Sequence, residues 1–454
     1  MTTKELARNL VKTQYEDLPE SVVEATKRSL LDTLGVMLPP TTLEESCIAI
    51  YELAKEEGGT EESTLVGFGG KTSCVMAAFV NGSLIHPMDY DDSTDIPPHH
   101  PSAATIPAAL AIAEKIGGVN GKDLITAIAL GNDLGIRLAA CPKGNIMDFP
   151  FFPITTIGPL ASAAAAGKIL GLSEIEMQNA LGLALHRVAG TTEATAAPDS
   201  DVRAIRDAYT NSDGVMAALM ASKGISAYKE AIQMLFKVYY SGEYDLKPLK
   251  EDLGKRFRGG EAGLKPWPAC RGTHGCIQAI LQIMKDNNIK PDDIAEVILT
   301  TGKFGEVHLC QPLEAKRNPT LSIGAKFSLP FVAAIALTKG TVQIAHFLPQ
   351  NLKDPKVLKM ANLINFRVNP TFGTTTPTET EIKTKDGKSY SLRVDMPRGH
   401  HQNPLSLEEI IAKFKDCATY SKKQFTNAEV EQLINYFLNL ERVKDIREIT
   451  SILV

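Results

Sequence analysis

Apolar residues recur at helical spacing along most of the chain from Thr3 to about Lys255, and this spacing predicts helices of ordinary length there. The segment Pro19–Gly35 sets a proline in its first turn, where the missing amide hydrogen costs nothing. Gly121–Gly135 and the Ala-rich stretch after Gly158 are apolar on most faces, as interior helices are. Ala161, Ala163, Ala164, Ala165, Ala166 and Gly167 allow close approach of helices, which predicts a compact bundle; no repeat of fixed period suggests a solenoid. Around Gly259-Gly260 the pattern changes. Ile294–Thr301 is β-branched and strand-like, and Thr378–Val394 reads as two alternating runs joined at Asp386-Gly387, a hairpin signal. Helical stretches at His274–Lys285 and Gly324–Thr338 complete a smaller α+β region. After Pro404 the helical pattern returns, with a capping box at Ser406-Leu-Glu-Glu and a further helix from Asn427. The expected fold is mainly α: an all-α domain over 1–258 and 402–454, with an α+β domain over 259–401 inserted before the C-terminal helices.

Length and charge narrow the function. The 454 residues exceed what one core normally supports, which agrees with two domains. With 48 basic against 53 acidic residues, a net charge of −5 and no basic block, nothing favours nucleic acid or a membrane surface, so the expected partner is a small molecule. No apolar run approaches the length of a membrane span, and Met-Thr-Thr-Lys-Glu-Leu lacks the layout of a signal peptide; a cytoplasmic protein is expected. Cys47, Cys74, Cys141, Cys270, Cys276, Cys310 and Cys417 are scattered without a Cys-x-x-Cys pair, so neither a disulfide framework, a zinc site nor an iron–sulfur cluster follows. Gly67-Phe-Gly-Gly-Lys-Thr72 imitates a phosphate loop, but the first glycine of that motif would fall at Leu65, so the segment reads as a turn. No Gly-x-Gly-x-x-Gly motif opens a βαβ unit either. The expectation is no cofactor and no metal.

The densest chemistry lies between two Ala-rich helical segments, in His86-Pro-Met-Asp-Tyr-Asp-Asp-Ser-Thr-Asp-Ile-Pro-Pro-His-His-Pro-Ser102, which holds four aspartates and three histidines. Carboxylates beside imidazoles suit proton transfer near neutral pH, because the acid orients a base that titrates there. An EF-hand reading of Asp89-Tyr-Asp-Asp-Ser fails, since the central glycine and distal glutamate are absent. His100 is the first candidate for the acid/base. Pro101 fixes its backbone, and the helix that follows offers amide hydrogens and a positive dipole end to a substrate carboxylate. His99 is read as a neighbour, His86 as buried and structural, and Asp91 and Asp92 as residues that cap helices or hold the loop.

His-x-x-Asp-Tyr-Asp-Asp followed by His-Pro-Ser and the helix Ala103–Glu114 resembles the signature of the MmgE/PrpD family. The ordered blocks Gly158–Leu172, Lys265-Pro-Trp-Pro-Ala-Cys-Arg-Gly-Thr-His274 and Ala325-Lys-Phe-Ser-Leu-Pro-Phe331 extend that resemblance over most of the chain. Members include 2-methylcitrate dehydratase, cis-aconitate decarboxylase and iminodisuccinate epimerase. The resemblance implies a helical domain carrying a smaller lid-like domain, usually a homodimer, and a cofactor-independent lyase or isomerase acting on a small di- or tricarboxylic acid. Dehydration of a 2-methylcitrate-like acid is the first expectation and dicarboxylate epimerisation the second. Decarboxylation ranks lower, and a non-enzymatic binding protein last.

Carried over residue by residue, the resemblance gives Asp89 and Lys265 catalytic positions beside His100. Ser93 falls where the decarboxylase has a threonine, and Arg203 where the family has a lysine that contacts substrate. Arg271 and His274, close to Lys265 in sequence, complete a candidate carboxylate clamp. Arg206 is read as a salt-bridge partner only. Two positions depart from the decarboxylase pattern: Phe152 and Cys270 stand where that enzyme has histidines, and each swap removes a proton carrier. Cys270 is read as buried and inert, and Phe149–Pro153 as an apolar wall or core.

Overall fold

The computed structural model describes residues 2–95, 97–144, 149–192 and 200–454, so Ile96 of the central loop lies outside the described residues. Contacts divide the chain into two units: Met1–Pro87, Asp91–Ala262 and Ser406–Val454 form one, Met88–Tyr90 and Gly263–Leu405 the other. The chain is mainly α.

In the first unit the helix Pro153–Ile169 is central. It packs against Pro101–Ile116, Gly121–Ala139, Glu174–Arg187 and Val202–Ser222. Small residues permit this spacing: a Cβ on Gly214 would lie 2.2 Å from the Ser162 hydroxyl, well inside contact distance. The helix Cys74–Ser83 lies along Val202–Ser222, and a Cβ on Gly82 would fall 2.5 Å from the Asp207 carbonyl oxygen. That closeness fixes the height of Arg206 and Asp207 in the bundle. The helix Leu407–Ala418 begins in a capping box, with Ser406 Oγ accepting from the Glu409 amide at 3.3 Å and Glu409 accepting from the Ser406 amide at 2.7 Å. It packs on Glu20–Val36, where Lys413 Nζ meets Asp32 Oδ1 at 2.7 Å, both buried. The unit is not purely helical. Ser63–Thr64 pairs with Lys71–Thr72, and Thr94–Asp95 with Pro98–His99, in two short antiparallel ribbons. The false phosphate loop is the turn and second strand of the first ribbon.

The second unit is built on a four-stranded sheet. Ile294–Thr301 runs parallel to Ile364–Val368 on one side and antiparallel to Thr378–Thr384 on the other, which pairs in turn with Ser389–Val394. The hairpin turns at Asp386-Gly387, where Gly387 takes φ 87°, a value that suits glycine. His274–Asp286 packs on both hairpin strands and on Leu329–Lys339, enclosing Ile277, Ile280, Val297, Leu299, Val332 and Ile382. The helix expected over Gly324–Thr338 is two helices, Ser322–Lys326 and Leu329–Lys339. Ser328 breaks it: its hydroxyl accepts the Phe331 amide hydrogen at 3.1 Å, with Pro330 in the new first turn. Among the described residues no helix is long and apolar enough to cross a membrane.

Candidate active site

His100 occupies the N-cap position of Pro101–Ile116 without using its side chain as a cap. Its Nδ1 lies 2.8 Å from Asp91 Oδ2 and 2.8 Å from the Asp92 carbonyl oxygen. Both neighbours are acceptors, so Nδ1 carries the hydrogen and Nε2 keeps the lone pair. The ring is 23% exposed whereas the Asp91 carboxylate is 1% exposed. A buried carboxylate therefore orients an accessible imidazole whose free nitrogen is the basic one, the arrangement general-base catalysis requires.

A second imidazole meets the same carboxylate. His86 Nδ1 is 3.2 Å from Asp91 Oδ1, and its ring lies edge-on to His100 with centroids 5.3 Å apart. Arg206, on Val202–Ser222, sets Nη2 3.2 Å from that same Nδ1, while its Nε lies 3.4 Å from Asp207 Oδ2. The guanidinium carbon stands 4.7 Å from the Phe152 ring centroid, so Phe152 is a cation–π floor for Arg206. Among the described residues, His86, Asp91 and His100 are also the set that most resembles metal ligands, with donor atoms within 4.8 Å of one another. The Arg206 guanidinium against His86 Nδ1 opposes a further cation there, and the set reads as two imidazoles packed on one carboxylate.

The rest of the loop is enclosed. Asp92 Oδ1 accepts the Ser102 amide hydrogen at 3.2 Å, capping the helix after His100, while burial pushes its carboxyl up to about 7, with the Ser102 amide pulling the other way. Asp207 is also raised, by burial first and against the pull of Arg206. Burial drives His99 down to about 3, and neither of its ring nitrogens has a hydrogen-bond partner among the described residues. It is a neutral core ring that fits because Gly135 has no side chain: a Cβ there would sit 2.8 Å from Nε2. The Ser93 hydroxyl is buried and likewise unpartnered among the described residues.

Met88, Asp89 and Tyr90 belong to the second unit. Asp89 takes φ 48°, a left-handed conformation that aspartate tolerates better than most residues. Its Oδ1 meets Lys265 Nζ at 2.5 Å, the ammonium also donates to the Asp89 carbonyl at 3.2 Å, and both side chains are buried. Tyr90 donates its hydroxyl hydrogen to the Pro266 carbonyl at 3.1 Å. Buried Lys326 reaches within 3.9 Å of the Met88 sulfur, and its carbonyl accepts the Cys270 amide hydrogen at 3.1 Å. Arg271 is buried and donates to the Arg398 carbonyl at 3.3 Å. His274 is fully buried and held well below the usual imidazole range, by burial first and then by Arg271 and Lys265. Its Nε2 donates to the Ala269 carbonyl at 3.0 Å, so the ring enters the cluster neutral. Cation, carboxylate and imidazole thus gather in this unit around Lys265.

A model of the MmgE/PrpD N-terminal domain matches residues 4–245, and one of the C-terminal domain matches 267–440. The chain belongs to the MmgE/PrpD family. It is 29% identical to cis-aconitate decarboxylase of Homo sapiens, over 96% of this chain and 91% of that protein. The Mus musculus enzyme of the same name is 29% identical over 96% and 90%, and that of Aspergillus terreus (strain NIH 2624 / FGSC A1156) is 24% identical over 96% and 93%.

Against this MmgE/PrpD background the expected residues fall into two sets. His100 stands with Asp91 in the first unit, and Asp89, Lys265, Arg271 and His274 gather in the second. Ser93 lies on the His100 loop, and Arg203 is half-buried one turn before Arg206 on Val202–Ser222. Sequence reasoning gave Asp91 only a capping or loop-holding role and Arg206 only a salt bridge, and it passed over Lys326. A signal for Lys326 was present: it is a lone charge inside the otherwise apolar Ala325-Lys-Phe-Ser-Leu-Pro-Phe331.

Proposed function

We propose that this MmgE/PrpD protein is a lyase that exchanges a proton on a carbon next to a carboxylate of a small di- or tricarboxylic acid. The observation that carries the reading is the Asp91–His100 pair, with Nδ1 committed to acceptors and Nε2 left for substrate. In this reading Nε2 removes the carbon-bound proton, and the imidazolium is stabilised by Asp91. Lys265, Arg271 and Arg203 supply positive charge to substrate carboxylates and to the enolate-like state that develops. The imidazolium then gives that proton to the departing β-hydroxyl, which leaves as water while the electron pair of the broken C–H bond becomes the new C=C bond; this completes a dehydration and restores the neutral ring. Lys265 and Asp89 are assigned with His100 to the catalytic set; Ser93, Arg203, Arg271 and His274 to substrate binding.

A second reading is decarboxylation, favoured by the names of the relatives. There carbon dioxide leaves and His100 returns a proton to carbon. Phe152 and Cys270 weigh against it: the resemblance implies imidazoles at these two positions in a decarboxylase, whereas here Phe152 serves as a floor for Arg206 and Cys270 is a buried thiol. Epimerisation would share the first proton abstraction and differ in the face from which the proton returns.

An NMR screen of citrate-like and aconitate-like acids in deuterated water tests the choice. Elimination gives an alkene without loss of carbon, decarboxylation gives bicarbonate and a deuterated product, and epimerisation gives a deuterated stereoisomer. No exchange with any polycarboxylate, in protein whose His100→Ala variant behaves identically, would overturn the enzymatic reading.

A further inference from the structure

The site poses a choice that its distances alone leave even. His86 Nδ1 is 3.2 Å from an acceptor, Asp91 Oδ1, and 3.2 Å from a donor, Arg206 Nη2. If Nδ1 carried a hydrogen it would bond Asp91 and face the guanidinium N–H; without one it accepts from Arg206. The surroundings break the tie. Asp91 keeps His100 Nδ1 at 2.8 Å as a charge contact whichever tautomer His86 takes, while the His100 hydrogen goes to the Asp92 carbonyl. For Arg206, the His86 nitrogen is its one hydrogen-bond partner among the described residues: Asp207 stands at 3.4 Å as a charge, and Phe152 offers only its ring face. The Arg206 side chain is 2% exposed, so water is not a substitute. Denying the guanidinium that acceptor would bury a charged donor with no hydrogen bond, a heavier loss than removing one of two imidazole contacts from Asp91.

We propose that Arg206 is a positioning residue: by donating to Nδ1 it keeps His86 neutral with its hydrogen on Nε2, so that of the two imidazoles against Asp91 only His100 sets a protonated nitrogen beside the carboxylate. His86 then acts as a wedge that fixes the carboxylate without drawing on its charge. Asp91 is thereby reserved for the imidazolium that His100 becomes when it takes a proton. Phe152 fits the same device, because an aromatic face holds a guanidinium flat without competing for its hydrogens. The role in turnover rests on the proposed proton transfer by His100; the tautomer does not.

The experiment is a long-range ¹H–¹⁵N correlation of the imidazole rings in the full-length protein labelled at histidine, with His86 and His100 assigned by substitution. Unmodified protein should show His86 with bare Nδ1 and protonated Nε2, and His100 with protonated Nδ1. In Arg206→Met, His86 should change to the Nδ1–H tautomer and the His100 Nδ1 proton should move upfield, because Asp91 is then shared. With a substrate in hand, Arg206→Met should lower kcat by about tenfold with KM nearly unchanged, and Arg206→Lys should recover part of the loss. A His86 Nδ1–H in the unmodified protein, where no variant's folding intervenes, overturns the proposal. So does an unmoved His100 proton in Arg206→Met. A protein inactive on every polycarboxylate but showing the stated tautomers would refute the functional reading and leave this assignment standing.

Discussion

The surroundings of His100 and those of Lys265 are both rich in buried charge, yet they are built for opposite ends. Around His100 the Asp92 carbonyl and the Asp91 carboxylate converge on Nδ1, and Nε2 stands clear of them on a ring that is 23% exposed. Around Lys265 the ammonium is 1% exposed, and Asp89 meets it with both its carboxylate and its carbonyl. One cluster holds a side chain ready, and the other locks one in. Asp89 and Asp91 are two residues apart in sequence and fall on either side of this contrast. The type of residue did not decide the role; what the fold set opposite each carboxylate did.

The largest effect expected from breaking this contrast is at His100. His100→Ala should lower turnover by about 10²–10⁴-fold with the helical circular dichroism unchanged, since a positioned acid/base contributes on that order. Near-wild-type kcat would remove it from the mechanism. Lys265→Met should behave differently, because it leaves the Asp89 carboxylate buried without its ammonium. A stability loss of about 3–5 kcal/mol in denaturant unfolding is expected, together with weaker binding of a dicarboxylate inhibitor. Adding Asp89→Asn should recover much of the stability and none of the binding.

Asp92 sharpens the contrast through pH. Its folded value of about 7 lies above the usual 3.8, so the stability tied to its protonated form is fully present below about pH 4 and is lost as pH rises through 7. Wild-type unfolding free energy relative to Asp92→Asn should therefore fall by a few kcal/mol between about pH 4 and 7 and level off above. A flat difference would mean that the carboxylate stays charged. Smallest of all should be the effect of a chelator: with Arg206 against His86, prolonged dialysis with one is expected to leave turnover within error, and strong loss restored by one specific ion would contradict this.

How much of this was legible in the sequence depends on how local the cause is. The hairpin at Asp386-Gly387 and the helix after Ser406 could be read because their turn and cap residues carry the signal within a few positions. The break at Ser328 was missed, since the apolar pattern runs on through Phe331 while one hydroxyl redirects the backbone. Ribbons of two residues per strand are shorter than any periodicity can register. His100 is singled out by its motif, but the approach of its ring to Asp91, and the stacking of Arg206 on Phe152, depend on how the chain meets itself once folded.

One consequence concerns genetic dissection. Because Met88–Tyr90 supply the carboxylate and the hydroxyl that meet Lys265 and Pro266, the segment 263–405 is not a portable cassette. Excised or transplanted alone, it would carry a buried ammonium with no counter-charge from Asp89. A split gene or a domain graft should succeed only if a short peptide bearing the Met-Asp-Tyr sequence travels with it.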